Sequence, residues 1–271
     1  MATSKHTMLD QDEFSRHSLY GAIDQSIHLY QQINHLAAEK MNVLDWGCGR
    51  GRDTLWLLDR GYNAYGVDVD PEPIRNGIPL YQHKGYGKDR LGIIDLSAKT
   101  KFANGFFHYT FSNQSFEHVK NLEESAVELF RVTRIGGAGY HVFPPRWGIR
   151  EGHLFMPFIH WLPKRKVRWW WIRFWVGVGV EPKWEELKDK NPREKSDRYY
   201  EYANECTYYR PIKQIRRIFE DAGFMVNFVT WQDPKVQRNP LMRSLTRSKF
   251  FRSMINWFLI NFVRVEIRLD K

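Results

Sequence analysis

Cysteine is scarce. The 271 residues hold two, Cys48 and Cys206, too few for a disulfide framework or a cysteine zinc cluster, so a reducing, cytoplasmic setting is expected. Long apolar runs are missing as well. The stretch "MINWFLINFV" falls short of the roughly 20 residues that a spanning helix needs. The opening "MATSKHTMLDQDEFSRHS" has no apolar core, so no secretory signal is expected. No internal repeat is present. Acidic residues are outnumbered, 31 against 41 basic ones, for a net charge of +10. That balance points to an anionic partner, whether nucleic acid, a membrane surface or a phosphorylated substrate, or else serves solubility alone. Hydrophobic residues make up 42% and aromatics 15%, with 11 tryptophans. Such a chain builds one large domain with a sizeable core, and global disorder is excluded.

Periodicity orders the chain. A helix is predicted over 23–40, then a short apolar strand "NVLDW", a glycine-rich loop, and a helix "DTLWLLDRG" stopped by Gly61. "YNAYGVDVD" reads as a second strand, with Pro71 opening the next helix. "LGIID" and "GFFHYTFSNQ" are a third and a fourth strand, Glu123–Gly137 a helix, and "AGYHVFPP" a fifth strand. Strands and helices alternating at this spacing predict βαβ units and a parallel sheet. The alternation fails over 146–209, rich in Trp, Arg, Lys and Pro, and resumes with a helix from Pro211 and a strand over 224–231. At the end Val263, Val265, Ile267 and Leu269 alternate with charged residues, the pattern of a half-buried strand.

The loop "WGCGRGRD" places Gly47, Gly49 and Gly51 directly behind a strand and before a helix. Free N–H groups and a partial positive charge at a helix start, reached through glycines, let a ligand approach the backbone closely. Asp68 ends the second strand 21 positions after Gly47, the place of an acidic residue that binds ribose hydroxyls. Its bland alternative is a turn or helix-capping residue before Pro71. The spacing G-x-G-x-G differs from that of dinucleotide-binding oxidoreductases.

Taken together, "VLDWGCGRGRD", "YGVDVDPEPI" and "SNQSFEHVKNLEESAVELFRVTRIGGAGYHVFP" resemble the ordered motifs of class I S-adenosylmethionine-dependent methyltransferases, in their small-molecule branch. The resemblance covers roughly residues 40–145, with a weaker match over 207–232. It implies an α/β fold: a Rossmann-like, seven-stranded, mostly parallel sheet with helices on both faces, its last strand antiparallel between the fifth strand and the strand over 224–231. It implies S-adenosylmethionine as cofactor. Asp45, Gly47, Cys48 and Gly49 would flank the methionyl part, and Asp68 with Val69 the ribose. Asp95 and Leu96 would sit at the adenine, and Ser112, Asn113 and Gln114 beside the methionyl group and the reacting methyl. One departure is His108, where relatives often carry an aspartate.

The organisation expected is a single domain over 1–271: a cofactor-binding core over 19–145, a substrate lid inserted after the fifth strand over 146–209, and the rest of the core over 210–271. His118 is the candidate general base with Glu117 beside it; packing or capping is the alternative. His153 and His160, seven apart and so on one face of a helix, and Trp147 are candidate substrate residues. No metal is expected, because the local sequence offers too few ligands. The stretch "KRKVRWWWIRFWVGVGV" interleaves cations with tryptophans, which suits a membrane interface, an anionic, partly apolar substrate or the stacking of nucleobases, or forms the core of the lid. The leading function is therefore methylation of a small acceptor, a saccharide or a lipid-linked, phosphate-bearing molecule, with O-methylation favoured. The acceptor is a small molecule, with peripheral membrane contact as a further partner. A nucleic-acid methyltransferase is the alternative, countered by "SNQSF", which lacks the Asn/Asp-Pro-Pro-aromatic grip on a flipped base. A non-catalytic module keeping the cofactor fold is a third reading, countered by the intact loop and acidic positions.

Overall fold

The computed structural model describes residues 10–95 and 97–271. The elements run α1 (Gln11–Ser15), α2 (Gly21–Ile33), β1 (Asn42–Trp46), α3 (Arg52–Leu58), β2 (Asn63–Asp68), α4 (Pro71–His83), β3 (Leu91–Ile93), β4 (Phe107–Asn113), α5 (Leu122–Val132) and β5 (Thr133–Phe143). After these come α6 (Lys166–Val178), α7 (Pro192–Glu205), α8 (Ile212–Asp221), β6 (Met225–Phe228), α9 (Pro234–Gln237), α10 (Pro240–Leu245), α11 (Lys249–Phe262) and β7 (Val265–Asp270). The strands form one seven-stranded sheet in the order β3-β2-β1-β4-β5-β7-β6. β1 to β5 pair in parallel, whereas β7 runs antiparallel between β5 and β6, as expected.

Two apolar layers cover the sheet. Ile23, Ile27, Leu55, Ile74 and Tyr81 from α2, α3 and α4 pack in one, and Leu122, Leu129, Ile215, Phe219 and Ile260 from α5, α8 and α11 in the other. The parallel strands are buried along almost their whole length, as a sheet covered on both sides requires. Local chemistry sets the element ends. Asp70 caps α4 by accepting from Glu72 N–H, with Pro71 in the first turn. Asn191 and Glu194 form a reciprocal capping box on α7. His108 Nδ1 accepts the backbone N–H of Asn42 at 3.1 Å, so the residue that departs from the family pattern ties β4 to the start of β1.

Three sequence expectations need correction. The helix expected over Glu123–Gly137 ends at Val132, and Thr133–Gly137 belongs to β5. Pairing of Thr133 with Phe107 and of Gly136 N–H with Lys271 C=O captures this stretch for the sheet, so tertiary pairing overrides helical periodicity. The helix expected to reach residue 40 stops at Ile33, where His35 takes a left-handed φ of 50°. Val263 is exposed and precedes β7, the chain before it being the helix α11.

The 146–209 segment leaves the carboxyl end of β5 and builds a cluster of its own, in which Leu154, Met156, Ile159, Ile172, Val176, Leu187, Tyr199 and Ala203 are buried.

Candidate active site

The glycine loop follows β1. Gly47, Gly49 and Gly51 all have left-handed backbones, with φ of 78°, 54° and 76°. A Cβ on Gly47 would strike the Ser115 side chain and one on Gly51 the ring of Tyr81, whereas at Gly49 it would meet nothing within 4 Å. The loop is therefore packed at both ends and open in its middle, where a ligand can reach the backbone. Its position is held by Gly47 and Cys48 N–H, which both donate to Val67 C=O, and by Ser115 Oγ, which donates to Gly47 C=O at 3.2 Å.

Asp68 Oδ2 accepts Gly49 N–H at 2.8 Å and its Oδ1 accepts Asp70 N–H at 2.9 Å. Each oxygen keeps lone-pair capacity for a hydroxyl. Burial raises its pKa. Val69, next to it, is 53% exposed, and Ile93 at the end of β3 is 56% exposed, so two apolar side chains stand uncovered at adjacent strand ends. Asp45 is buried and accepts from Thr54 Oγ1 at 2.9 Å. Burial, and then the charge of Asp53, push its pKa well above the carboxylate range. Three carboxylates so close favour a cation. Cys48 packs against Gly66, and burial raises its thiol pKa strongly, which makes it a poor nucleophile. Asp95 is exposed and forms an Asx turn with Ser97. Leu96 lies outside the described residues.

At the end of β4, which reaches Asn113, the expected residues diverge. Ser112 is fully buried and its hydroxyl pairs with His141 Nδ1 at 2.9 Å, so its side chain is engaged within the sheet. Asn113 Nδ2 approaches Asp53 Oδ2 at 3.4 Å, and Asp53 Oδ1 pairs with His17 Nε2 at 2.5 Å. Gln114 has a φ of 56° and donates its N–H to Val142 C=O. The charges of α1 also reach the loop: Glu13 pairs with Arg50 and Arg52. The sequence gives no sign of this contact, since the opening stretch shows no apolar periodicity.

Glu117 and His118 sit in a short turn over Phe116–His118. His153 and His160 do not share a helical face. His153 lies in a turn and His160 in a separate short turn, Ile159–Trp161. The intervening Pro157 and the left-handed Phe155 and Phe158 exclude a continuous helix. His153 instead meets His118, Nε2 to Nε2, at 3.1 Å. Its Nδ1 donates to Glu151 Oε1 at 2.9 Å, and Tyr209 OH donates to the same oxygen at 2.5 Å. Burial works against the charge on Glu151, but these bonds and that from Leu154 N–H outweigh it and lower its pKa to about 2. Burial raises Glu117 to about 7. His160 packs on the Tyr209 ring, and burial lowers its pKa to about 4, so it is neutral. Trp147 is half-exposed and rests edge-on against Trp161.

A cavity of about 450 Å³ opens beside this cluster, lined in part by Arg146, His160, Lys164, Arg168, Tyr209 and Arg210. Arg146 Nε is buried without a hydrogen-bond partner. None of the lining belongs to the glycine loop. The link is the stretch after β4: Tyr208 N–H donates to Glu117 C=O, Arg210 donates to Val119 and Lys120 C=O, and Ser115 touches Gly47.

Residues 44–140 match the family model described as a methyltransferase domain. That stretch, a little over a third of the chain, is similar to the methyltransferase domain of that family. A curated relative, the sterol 4-C-methyltransferase strm-1 of Caenorhabditis elegans, is 27% identical over 114 residues, covering 42% of this chain and 34% of the relative. The chain thus spans about a third of the length of that relative. Among solved structures, the YcgJ protein of Bacillus subtilis has a TM-score of 0.50 at 14% identity over 92% of this chain and 98% of that one. An S-adenosylmethionine-dependent methyltransferase from Mesorhizobium loti has a TM-score of 0.50 at 10% identity, over 92% and 100% of the two chains. The geranyl diphosphate C-methyltransferase of Streptomyces coelicolor also has a TM-score of 0.50, at 14% identity over 97% and 84%. At such identities the likeness is one of fold. The matched residues hold the glycine loop and Asp68, while the 146–209 segment lies outside them.

Proposed function

We propose that the chain is a methyltransferase that uses S-adenosylmethionine to methylate a small anionic acceptor. The observation that carries the first half is the loop itself: three left-handed glycines, open only at Gly49, with Asp68 bonded to the loop from the neighbouring strand. The site fits the cofactor. Gly47 and Gly49 would lie against the methionyl part, Asp68 would take the ribose hydroxyls, and Val69 with Ile93 would cover the adenine. The buried Asp45 and the half-buried Asp53 suit a ligand carrying sulfonium and ammonium charges. When bound, the cofactor supplies an activated methyl group, and what the protein must add is alignment and exclusion of water.

The 146–209 segment, leaving the carboxyl end of β5, is read as the acceptor-binding lid. Its cavity gathers Arg146, Lys164, Arg168 and Arg210 with Tyr208 and Tyr209, a lining suited to phosphate or carboxylate on a partly apolar molecule. A lipid-linked acceptor has a further observation in its favour. Val167, Trp170, Phe174 and Val178 form an exposed stripe along α6, and Phe250, Met254, Trp257 and Phe258 stand exposed on α11. No helix among the described residues is long and apolar enough to cross a membrane, so such contact would be peripheral. The acceptor atom is oxygen in this reading.

The test is transfer of labelled methyl from S-adenosylmethionine to a panel of phosphorylated, carboxylated and neutral acceptors, repeated with Arg146→Ala and Lys164→Ala. Transfer confined to neutral acceptors would overturn the anionic reading. Failure of the wild type to bind S-adenosylhomocysteine would end the methyltransferase reading.

A further inference from the structure

Glu117 is 1% exposed, and neither of its carboxylate oxygens accepts a hydrogen bond of good geometry. Its own backbone N–H offers only a weak contact. A carboxylate in that position is costly unless a cation or a proton compensates it. Beside it stand two imidazoles whose tautomers their partners decide. His118 Nδ1 lies 2.7 Å from Cys206 C=O, which can only accept, so Nδ1 carries the proton. His153 Nδ1 faces the Glu151 carboxylate at 2.9 Å and carries its proton likewise. In neutral rings, both Nε2 atoms therefore present lone pairs, and these point at each other across 3.1 Å. Two facing lone pairs repel, and something positive belongs between them.

We propose that Glu117, His118 and His153 bind a divalent transition-metal ion of the zinc type. Their donor atoms lie within 4.8 Å of one another, with His118 Nε2 4.0 Å from Glu117 Oε1. Tetrahedral zinc at about 2.0–2.1 Å from nitrogen sets donors about 3.3 Å apart, so the imidazoles already stand at close to ligand spacing, and the carboxylate, 4.0 Å from His118 Nε2 and within 4.8 Å of the His153 donor, needs a small rotation to join them. Two imidazoles and one carboxylate select zinc or its first-row neighbours over magnesium or calcium, which prefer oxygen throughout. The outer contacts are those of a built site. Glu151 and the Cys206 carbonyl each hold the far nitrogen of one histidine, which orients the ring and raises its basicity. Glu151 is in turn held by Tyr209 and by the N–H groups of His153 and Leu154.

The local sequence conceals this set. Glu117 and His118 leave β4, while Glu151 and His153 come from the segment after β5, so the ligands meet only in the fold. Such an ion would cross-link the 146–209 segment to the core, and three protein ligands leave a position for a further oxygen. It assigns Glu117 and His118 to metal binding instead of to proton abstraction. The inference goes beyond the methyltransferase reading and does not depend on it.

The full chain, stripped with a chelator and dialysed, should bind one equivalent of zinc by calorimetry. His153→Ala and His118→Ala should each weaken binding at least about 100-fold, and Glu151→Gln, which removes an orienting partner, about 10- to 100-fold. Cobalt in place of zinc should give visible absorption bands on the wild type, which decides the matter should a variant fail to fold. Absence of saturable zinc binding and of cobalt bands overturns the proposal, leaving a proton shared between the imidazoles. Binding that survives both histidine variants also overturns it, since the ion then sits elsewhere. Calorimetry with S-adenosylhomocysteine on the stripped protein separates the two readings: cofactor binding without metal binding sinks this inference alone.

Discussion

The backbone N–H of Gly49 is bonded to Asp68 Oδ2 at 2.8 Å, so the apex of the glycine loop and the acidic end of β2 are one unit. Replacing Asp68 by Ala removes the anchor of the loop together with the acceptor proposed for the ribose hydroxyls. Affinity for S-adenosylmethionine and S-adenosylhomocysteine should fall by roughly 1.5–3 kcal/mol, the cost of losing a charged hydrogen-bond acceptor. Titration calorimetry on folded Asp68→Ala checks this, and an unchanged affinity would remove Asp68 from the cofactor site.

The loop glycines should separate stability from binding. Gly51→Ala forces a left-handed alanine into the ring of Tyr81, and a loss of about 2–4 kcal/mol of stability is expected from strain and overpacking. At Gly49 the added methyl meets nothing, so the cost should be about 1 kcal/mol. The same methyl stands where the cofactor is proposed to approach, and Gly49→Ala should then lose most cofactor affinity. Chemical denaturation and calorimetry on both variants make the comparison, which fails if Gly49→Ala binds like the wild type.

A buried network gives a pH dependence. Glu266 is fully buried and bonded to Tyr140 at 2.7 Å and Tyr20 at 2.9 Å, with Asp233 and Arg264 facing the same cluster. Burial chiefly, then Asp233, raises its pKa to about 8. The folded state therefore holds this proton across the window from about pH 4.5 to 8, where the unfolded chain has released it. The stabilisation is complete below that window and is lost as pH rises through 8, with a slope of at most ~1.4 kcal/mol per pH unit. Glu266→Gln, a permanently neutral analogue, should remove this part of the slope. Urea titrations of both proteins at pH 5.5 and 8.5 measure it; identical slopes would refute the assignment.

What could be read in advance follows the range of the interactions. The glycine loop, Asp68 at the end of β2 and the parallel sheet depend on neighbouring residues and a repeating βαβ period, and the sequence carries both. The boundary at Val132 could not be read, because pairing of Thr133 with Phe107 and of Gly136 with the chain end decides it. The meeting of His118 with His153 is equally hidden: the spacing of His153 and His160 suggests a helix, and the backbone bends at Phe155 and Phe158 instead. Ser112 shows the limit of a motif. Its place after the apolar run is as expected, yet strand alternation turns its hydroxyl towards His141.

The exposed aromatics of α6 and α11 make the remaining prediction. In the basic aromatic stretch Arg168 turns inward, bonded to Leu162 C=O, Ala203 C=O and the Asn204 side chain. Trp171 and Trp175 pack against the cluster of the 146–209 segment, which is ordinary core. Trp170 and Phe174 do not; they stand 65% and 53% exposed. The same arrangement recurs on α11, where Phe250, Met254, Trp257 and Phe258 stand exposed beside exposed Arg247 and Lys249. Uncovered aromatics next to cations suit the headgroup layer of an anionic bilayer, where each basic residue contributes about 1 kcal/mol and less as salt rises. The protein should co-sediment with vesicles containing phosphatidylserine, more weakly with phosphatidylcholine alone, and less at high salt. Trp257→Ser with Phe258→Ser should abolish most of that binding, whereas Trp171→Ser, taken from the packed cluster, should lower stability and leave the lipid preference intact. Equal and negligible binding to both vesicles would leave these helix faces without a lipid role and would favour a water-borne acceptor for the basic cavity.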